Sequence, residues 1–229
     1  MKKQFTSILF LLLINTIVKA QTQKGNQLLG GSVSFEIGNG KSDQLDYSNS
    51  AYSYSSKNKI SSFGLGPIYS YFVADQLDLG VSLGYGKAKT TYSYSVGNPN
   101  LNALPSKTSS QTVSGGIYLR KYFLYKQKVG IRTGPFIEYL KSKYTNEYLL
   151  PQSTNYNNNQ SNSTLGTGLG LDFVYFPINR FGVFANLGAV RYAHTRSEYQ
   201  YYTTDHTDQT DTFGLRLTSA LNLSFVYKL

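Results

Sequence analysis

From Thr212 to Leu229 the chain alternates with a period of two. Phe213, Leu215, Leu217, Leu221, Leu223, Phe225, Tyr227 and Leu229 share one parity, and Thr212, Gly214, Arg216, Thr218, Ala220, Asn222, Ser224 and Lys228 share the other. Successive side chains of an extended strand point to opposite faces. One face of this segment is therefore predominantly apolar, over a length beyond that of an ordinary globular strand. Such a strand suits a wall with hydrocarbon on one side and a polar interior on the other.

Seven earlier segments repeat the pattern. Their apolar faces carry Leu29, Gly31, Val33, Phe35 and Ile37; Phe63, Leu65, Pro67, Tyr69 and Tyr71; Leu77, Leu79, Val81, Leu83 and Tyr85; and Val113, Gly115, Ile117 and Leu119. The remaining three carry Val129, Ile131, Thr133, Pro135, Ile137 and Tyr139; Leu165, Thr167, Leu169, Leu171, Phe173 and Tyr175; and Phe181, Val183, Ala185, Leu187 and Ala189. No long segment carries a helical period. The connections alternate in length. Val73–Gln76, Phe123–Lys128 and Pro177–Arg180 are tight, whereas Gly40–Lys57, Ser93–Lys107, Asn146–Asn162 and Ser197–Asp211 are long and polar. This predicts an all-β fold: one closed, antiparallel, eight-stranded transmembrane β-barrel, with four long extracellular loops and three short periplasmic turns. Closure follows because an open strand edge in lipid would leave backbone groups unpaired.

Aromatic residues gather near both ends of the segments. Tyr69, Tyr71, Phe72, Tyr122, Phe123, Tyr175, Phe176, Phe225 and Tyr227 form one expected girdle, and Tyr92, Tyr94, Tyr139, Tyr144, Tyr192 and Tyr199 the other. A soluble β-sandwich would not require the alternation of short and long connections.

The N-terminus reads as a processing segment. Lys2 and Lys3 precede an apolar core over Ile8–Ile14, and Val18-Lys19-Ala20 supplies small residues before Gln21. Cleavage after Ala20 is expected, dividing the chain into a signal peptide (residues 1–20) and a barrel domain (residues 21–229). The apolar run is too short to favour an uncleaved membrane helix. With 0 Cys there is no disulfide framework, thiolate metal site or cysteine-linked lipid anchor. The net charge of +10 falls to +7 when Lys2, Lys3 and Lys19 leave with the signal. These charges are scattered, which suits attraction to anionic headgroups rather than to nucleic acid.

The Gly-rich first strand LLGGSVSFEIG, the repeats FGLGPIYSYF and LGTGLGLDFVYF, and the closing LNLSFVYKL resemble the small outer-membrane β-barrel domain proteins of Gram-negative bacteria, especially of the Bacteroidota. The resemblance covers essentially the whole mature chain and implies a cell outer membrane location. It carries no catalytic motif. The expected partners are outer-membrane lipid and, through the C-terminal strand, the barrel-assembly machinery.

Few residues offer chemistry. Gly64-Leu65-Gly66 and the glycines at 166, 168 and 170 lack the following helix that a phosphate loop needs, and read as room in a narrow interior. The interior parity carries Glu36, Asp78, Arg120, Arg132, Glu138, Asp172 and Arg216. An eight-stranded barrel is only wide enough for its own side chains, and charges buried there must be paired. An ion path or a catalytic acid pair is the functional alternative; a plug of salt bridges is the favoured reading. The expected pairs are Asp78–Arg120 and Arg132–Asp172 in one layer, and Glu36–Arg216 near the outer mouth. His206, flanked by Asp205 and Asp208, and His194, near Ser197 and Glu198, invite comparison with hydrolase dyads or a weak cation site. Their spacing fits a polar exposed loop better. The tract Tyr156–Asn162 reads as a soluble loop tip with an adhesive alternative. No catalytic residue, cofactor or metal is expected. The predicted function is a non-enzymatic surface role, structural or adhesive, acting through the loops. The alternatives are a small-solute channel and a lipid- or peptide-modifying enzyme.

Overall fold

The period-two pattern builds strands. The computed structural model describes residues 22–44, 54–96, 105–148, 159–201, 204–217 and 223–229. Within them lie β1 (Gln27–Gln44), β2 (Tyr54–Ala74), β3 (Leu77–Val96), β4 (Pro105–Tyr125), β5 (Val129–Tyr148), β6 (Asn159–Ile178), β7 (Phe181–Tyr201), β8 (Thr204–Leu217) and β9 (Leu223–Lys228). The signal segment and the tract Tyr156–Asn158 lie outside the described residues, so those readings are not addressed by the fold.

From β1 to β8 each strand pairs antiparallel with the next. β9 pairs with β7 over Phe181–Ala185 and with β1 over Leu28–Gly31, which completes a ring. The eighth wall position therefore differs from the single strand expected over Phe213–Leu229. It is divided into β8, beside Gly188–Tyr201 of β7, and β9, beside Phe181–Ala185. Residues 218–222 between them are not among those described. The ring closes at the end carrying the tight turns. Beyond Gly31, no pairing of β1 with β8 occurs among the described residues. Exposure of the outer face of β1 follows this, rising from 50% at Leu29 to 70% at Val33.

Asp75–Gln76, Lys126–Lys128 and Asn179–Arg180 make the tight turns. Gln76, Lys126 and Gln127 take φ of 60°, 47° and 58°, the left-handed region that short hairpin connections use. Thr22–Asn26 tucks beneath them: Gln76 N donates to Thr22 O at 2.6 Å, and Gly25 N to Phe72 O at 2.9 Å. At the other end the strands run further than expected. Asp205–Asp211, read as part of a long loop, lies in β8 and pairs with His194–Gln200 of β7.

One irregularity redirects side chains. Leu171 pairs with Gly188 but Asp172 with Asn186, so Leu187 is extra in β7. Such a bulge flips the parity beyond it. Val190 and Tyr192 consequently face outward, while Ala189 and Arg191 face the interior, reversing the expected orientation of Ala189.

The outer face carries the apolar band anticipated from the alternation: Leu83 is 64% exposed, Ile117 59%, Ile137 60% and Leu169 57%. The core lies inside the ring at its turn end, where Leu28, Phe72, Tyr122, Val174, Phe176, Phe184 and Val226 pack together. This corrects the aromatic assignment. Phe72, Tyr122 and Phe176 are interior floor residues rather than girdle members. Tyr92, Tyr94 and Tyr144 likewise share the interior parity of their strands, so the outer girdle at that end thins to Tyr85, Tyr139, Tyr192 and Phe213.

Candidate functional site

The interior is built in layers. Above the apolar floor, β3 supplies Asp78, β4 supplies Tyr118, Arg120 and Tyr122, β5 supplies Arg132, and β6 supplies Asp172. Asp78 is 0% exposed, Arg132 7% and Asp172 5%. Arg132 stands at the centre. Its Nε donates to Asp172 Oδ2 at 2.8 Å and its Nη1 donates to the Tyr122 hydroxyl at 3.2 Å. Tyr122 in turn donates to Asp78 Oδ2 at 2.8 Å, and Asn186 Nδ2 donates to Asp172 Oδ1 at 2.9 Å. The guanidinium carbon of Arg132 lies 4.0 Å from the centre of the Phe184 ring. A delocalised, weakly hydrated cation tolerates such an aromatic surround better than an ammonium would.

The pairing differs in detail from that read in the sequence. Asp78 and Arg120 are opposite one another in the β3–β4 register, yet the cation near Asp78 is Arg132, at 3.9 Å. Arg120 leans the other way: Nη1 donates to the Gly134 carbonyl, Nε lies 4.0 Å from Asp172, and the guanidinium sits 5.6 Å from the Tyr118 and Phe136 rings. Inward glycines make this possible. A Cβ on Gly170 would meet the Arg120 guanidinium, and one on Gly166 would meet Arg191.

The upper layer contains a residue that the sequence reading missed. Glu138 pairs with Arg191 at 2.8 Å. Arg191 reads as outward until the bulge at Leu187 is known; the only sequence signal is the shift of apolar residues from Leu187 to Val190 and Tyr192. Above the lower charge layer lies a cavity of about 420 Å³, lined by Ser82, Tyr118, Arg120, Glu138, Asn186, Arg191 and Arg216 among others. Glu36 does not pair with Arg216. Its carboxylate accepts from Ser62 Oγ at 3.3 Å, because β1 and β8 are not joined at that height.

The histidines occupy the opposite rim. His194 Nδ1 lies 2.9 Å from Asp211 Oδ1, which also accepts from the Tyr192 hydroxyl at 2.8 Å. Ser197 has the opposite parity on β7 and does not join this pair. His206 stacks on Tyr199 at 5.6 Å, and the Tyr199 hydroxyl donates to Asp208 at 3.0 Å. Among the described residues no group of three or more His, Cys, Asp or Glu side chains is arranged to hold a metal.

No family model and no curated protein matches the chain. Among solved structures, it is similar to the outer membrane protein OprG from Pseudomonas aeruginosa, with 15% identity, 92% of this chain and 99% of that one covered, and a TM-score of 0.46. It is also similar to Outer Membrane Protein W of E. coli, at 12% identity, 90% and 99% coverage and a TM-score of 0.41. A third is a major outer membrane protein from Thermus thermophilus, at 16% identity, 90% and 99% coverage and a TM-score of 0.42. At these values the likenesses say nothing of activity, ligand or partner.

Proposed function

We propose that the chain is an integral outer-membrane protein with a non-enzymatic role at the cell surface, structural or adhesive, acting through the polar ends of its strands. The observation that carries this reading is the pairing of a continuous apolar outer band with an interior filled at the turn end. A ring whose outer face exposes Leu83, Ile117, Ile137 and Leu169 has no aqueous use for that face. Antiparallel strands paired around a ring are the β-structure able to cross hydrocarbon, and here β9 joins β7 to β1 at the turn end. The floor of Leu28, Phe72, Phe176 and Val226, topped by Arg132 and its two acids, fills the path a solute would take. That favours a scaffold over a channel. Ser197 does not join the His194–Asp211 pair, which favours a binding surface over a serine hydrolase.

Topology is directly testable, because a chain with 0 Cys accepts single-cysteine reporters without background. A membrane-impermeant maleimide applied to intact cells should label Lys59→Cys. It should label Gln127→Cys only after the outer membrane is permeabilised. The reverse order would invert the barrel, and equal labelling of both would reject the spanning reading. In planar bilayers the protein should show no sustained step conductance; a stable open level would favour the channel. A glycan and matrix-protein binding screen on cells bearing the protein should return a surface ligand if the role is adhesive.

A further inference from the structure

The lysines of β1–β3 are gathered on one face at one height. In β2 the outward parity runs Tyr71, Tyr69, Pro67, Leu65, Phe63 and continues through Ser61 to Lys59 and Lys57. In β3 it runs from Leu79 to Tyr85 and continues to Lys87 and Lys89. Register sets Lys87 opposite Phe63 and Lys89 opposite Ser61. Taking about 3.3 Å per residue and a tilt of about 40°, the four lysines lie about 5–15 Å beyond the last outward aromatics, on the outer side of the wall.

That position leaves them neither in hydrocarbon nor over the mouth of the barrel. They stand where lipid headgroups abut the protein. Lys41 of β1 lies directly opposite Lys57. A groove of about 890 Å³ runs across this face, lined by Lys41, Lys57, Lys59, Lys89, Thr91 and Ser93 among others. Of the acids in β1–β3, Glu36 and Asp78 occupy the interior parity, and Asp43 stands near the far end of β1, beyond Lys41. No carboxylate among the described residues pairs with Lys57, Lys59, Lys87 or Lys89. The positive face thins around the rim: on β5, Lys141 and Lys143 continue it beyond Tyr139, while Lys107 of β4 pairs with Glu147; β6 has Ser163, Ser161 and Asn159 beyond Leu165; and β7 and β8 mix Arg196, Glu198 and Asp211.

We infer that this face of β1–β3 is a binding site for the phosphates of an anionic lipid in the outer leaflet. The spread of the lysines over two levels suits a headgroup bearing more than one phosphate. Lysine is a flexible point charge that can follow phosphates at different depths, with its stem lying along the apolar band.

The inference rests on the membrane reading above, and one assay separates the two. The full chain is reconstituted into phosphatidylcholine nanodiscs containing lipid A, which bears two phosphate groups, or its dephosphorylated form. Retained lipid is then counted by native mass spectrometry. Folding is followed independently by heat-modifiable gel mobility. The Lys57→Gln/Lys59→Gln/Lys87→Gln/Lys89→Gln variant should lose about tenfold or more of the phosphorylated lipid. It should match the unaltered protein with the dephosphorylated one, while Lys126→Gln/Lys128→Gln at the opposite end changes neither. Should the quadruple variant not fold, salt serves on the unaltered protein: raising NaCl from about 0.05 to about 0.5 M should release the phosphorylated lipid selectively. Undiminished retention in the quadruple variant, an equal loss in the turn variant, or insensitivity to salt would overturn the site. Displacement by millimolar inorganic phosphate would assign it to a free anion instead. A chain that never enters the nanodisc would refute the membrane reading itself.

Discussion

Val81→Arg and Leu169→Arg should each weaken folding into a bilayer by about 2–4 kcal/mol, whereas Tyr85→Arg should cost only about 0–1 kcal/mol. The gradient comes from depth. Val81 lies midway along the outward apolar run of β3, between Leu77 and Tyr85, and pairs with Tyr69 and Ile117 on either side. Leu169 lies near the middle of the run Leu165–Tyr175 on β6 and is 57% exposed. An arginine there has apolar neighbours on every side and must bend far to reach water. From Tyr85 the guanidinium needs only to rise to the level of Lys87. Ser82→Thr, one residue away on the interior face, should be mild. The measurement is denaturant-induced unfolding from phospholipid vesicles. Equal penalties at Val81 and Ser82, or a Tyr85→Arg penalty as large as that of Val81→Arg, would contradict the assigned faces and depths.

The architecture was largely legible because an antiparallel wall between two solvents imposes a rule on every other residue. Outward assignments such as Leu83 and Ile137 follow from parity alone. What parity does not contain is where it breaks. The extra residue at Leu187 turns Arg191 inward and Ala189 with it; the shift of apolar residues to Val190 and Tyr192 hints at it, and the register with Leu171 and Asp172 locates it. The division of the last wall position is hidden for the same reason: Phe213–Leu217 and Leu223–Tyr227 keep one parity, so a continuous strand and two segments look alike. Aromatic identity misled in a different way. Phe72, Tyr122 and Phe176 stand beside outward aromatics in sequence, but a period of two sends neighbours to opposite faces. Their interior position makes the floor on which the charges rest. The charged residues themselves were visible as an inward set. The Arg132–Asp172 pair was legible too, but the partner of Asp78 was not, since opposition in register does not decide which of two arginines reaches an acid. Arg132, flanked by Phe184 and Tyr122, takes Asp78 from Arg120.

Arg132→Ala should be the most damaging single truncation in the interior, destabilising the folded barrel by about 3–5 kcal/mol. The substitution removes one cation and leaves two acids, Asp78 at 0% exposure and Asp172 at 5%, in a space with little access to water. It also removes the donor to the Tyr122 hydroxyl and the contact with the Phe184 ring. Arg120 cannot substitute fully, since its Nη1 is engaged at the Gly134 carbonyl. Arg132→Lys should recover little, because an ammonium cannot span Asp172 and Tyr122 at once as the planar fork does. The decisive comparison is the triple change Arg132→Met/Asp78→Asn/Asp172→Asn. Removing the charges together spares the cost of stranded acids, so this variant should be closer to the unaltered protein than Arg132→Ala is. Stability is read in vesicles, and conductance in planar bilayers reports whether water has entered beside the acids: Arg132→Ala should leak where the triple variant does not. If Arg132→Ala left both stability and conductance unchanged, the charge layer would not be what closes the interior, and the channel reading would gain the support it now lacks.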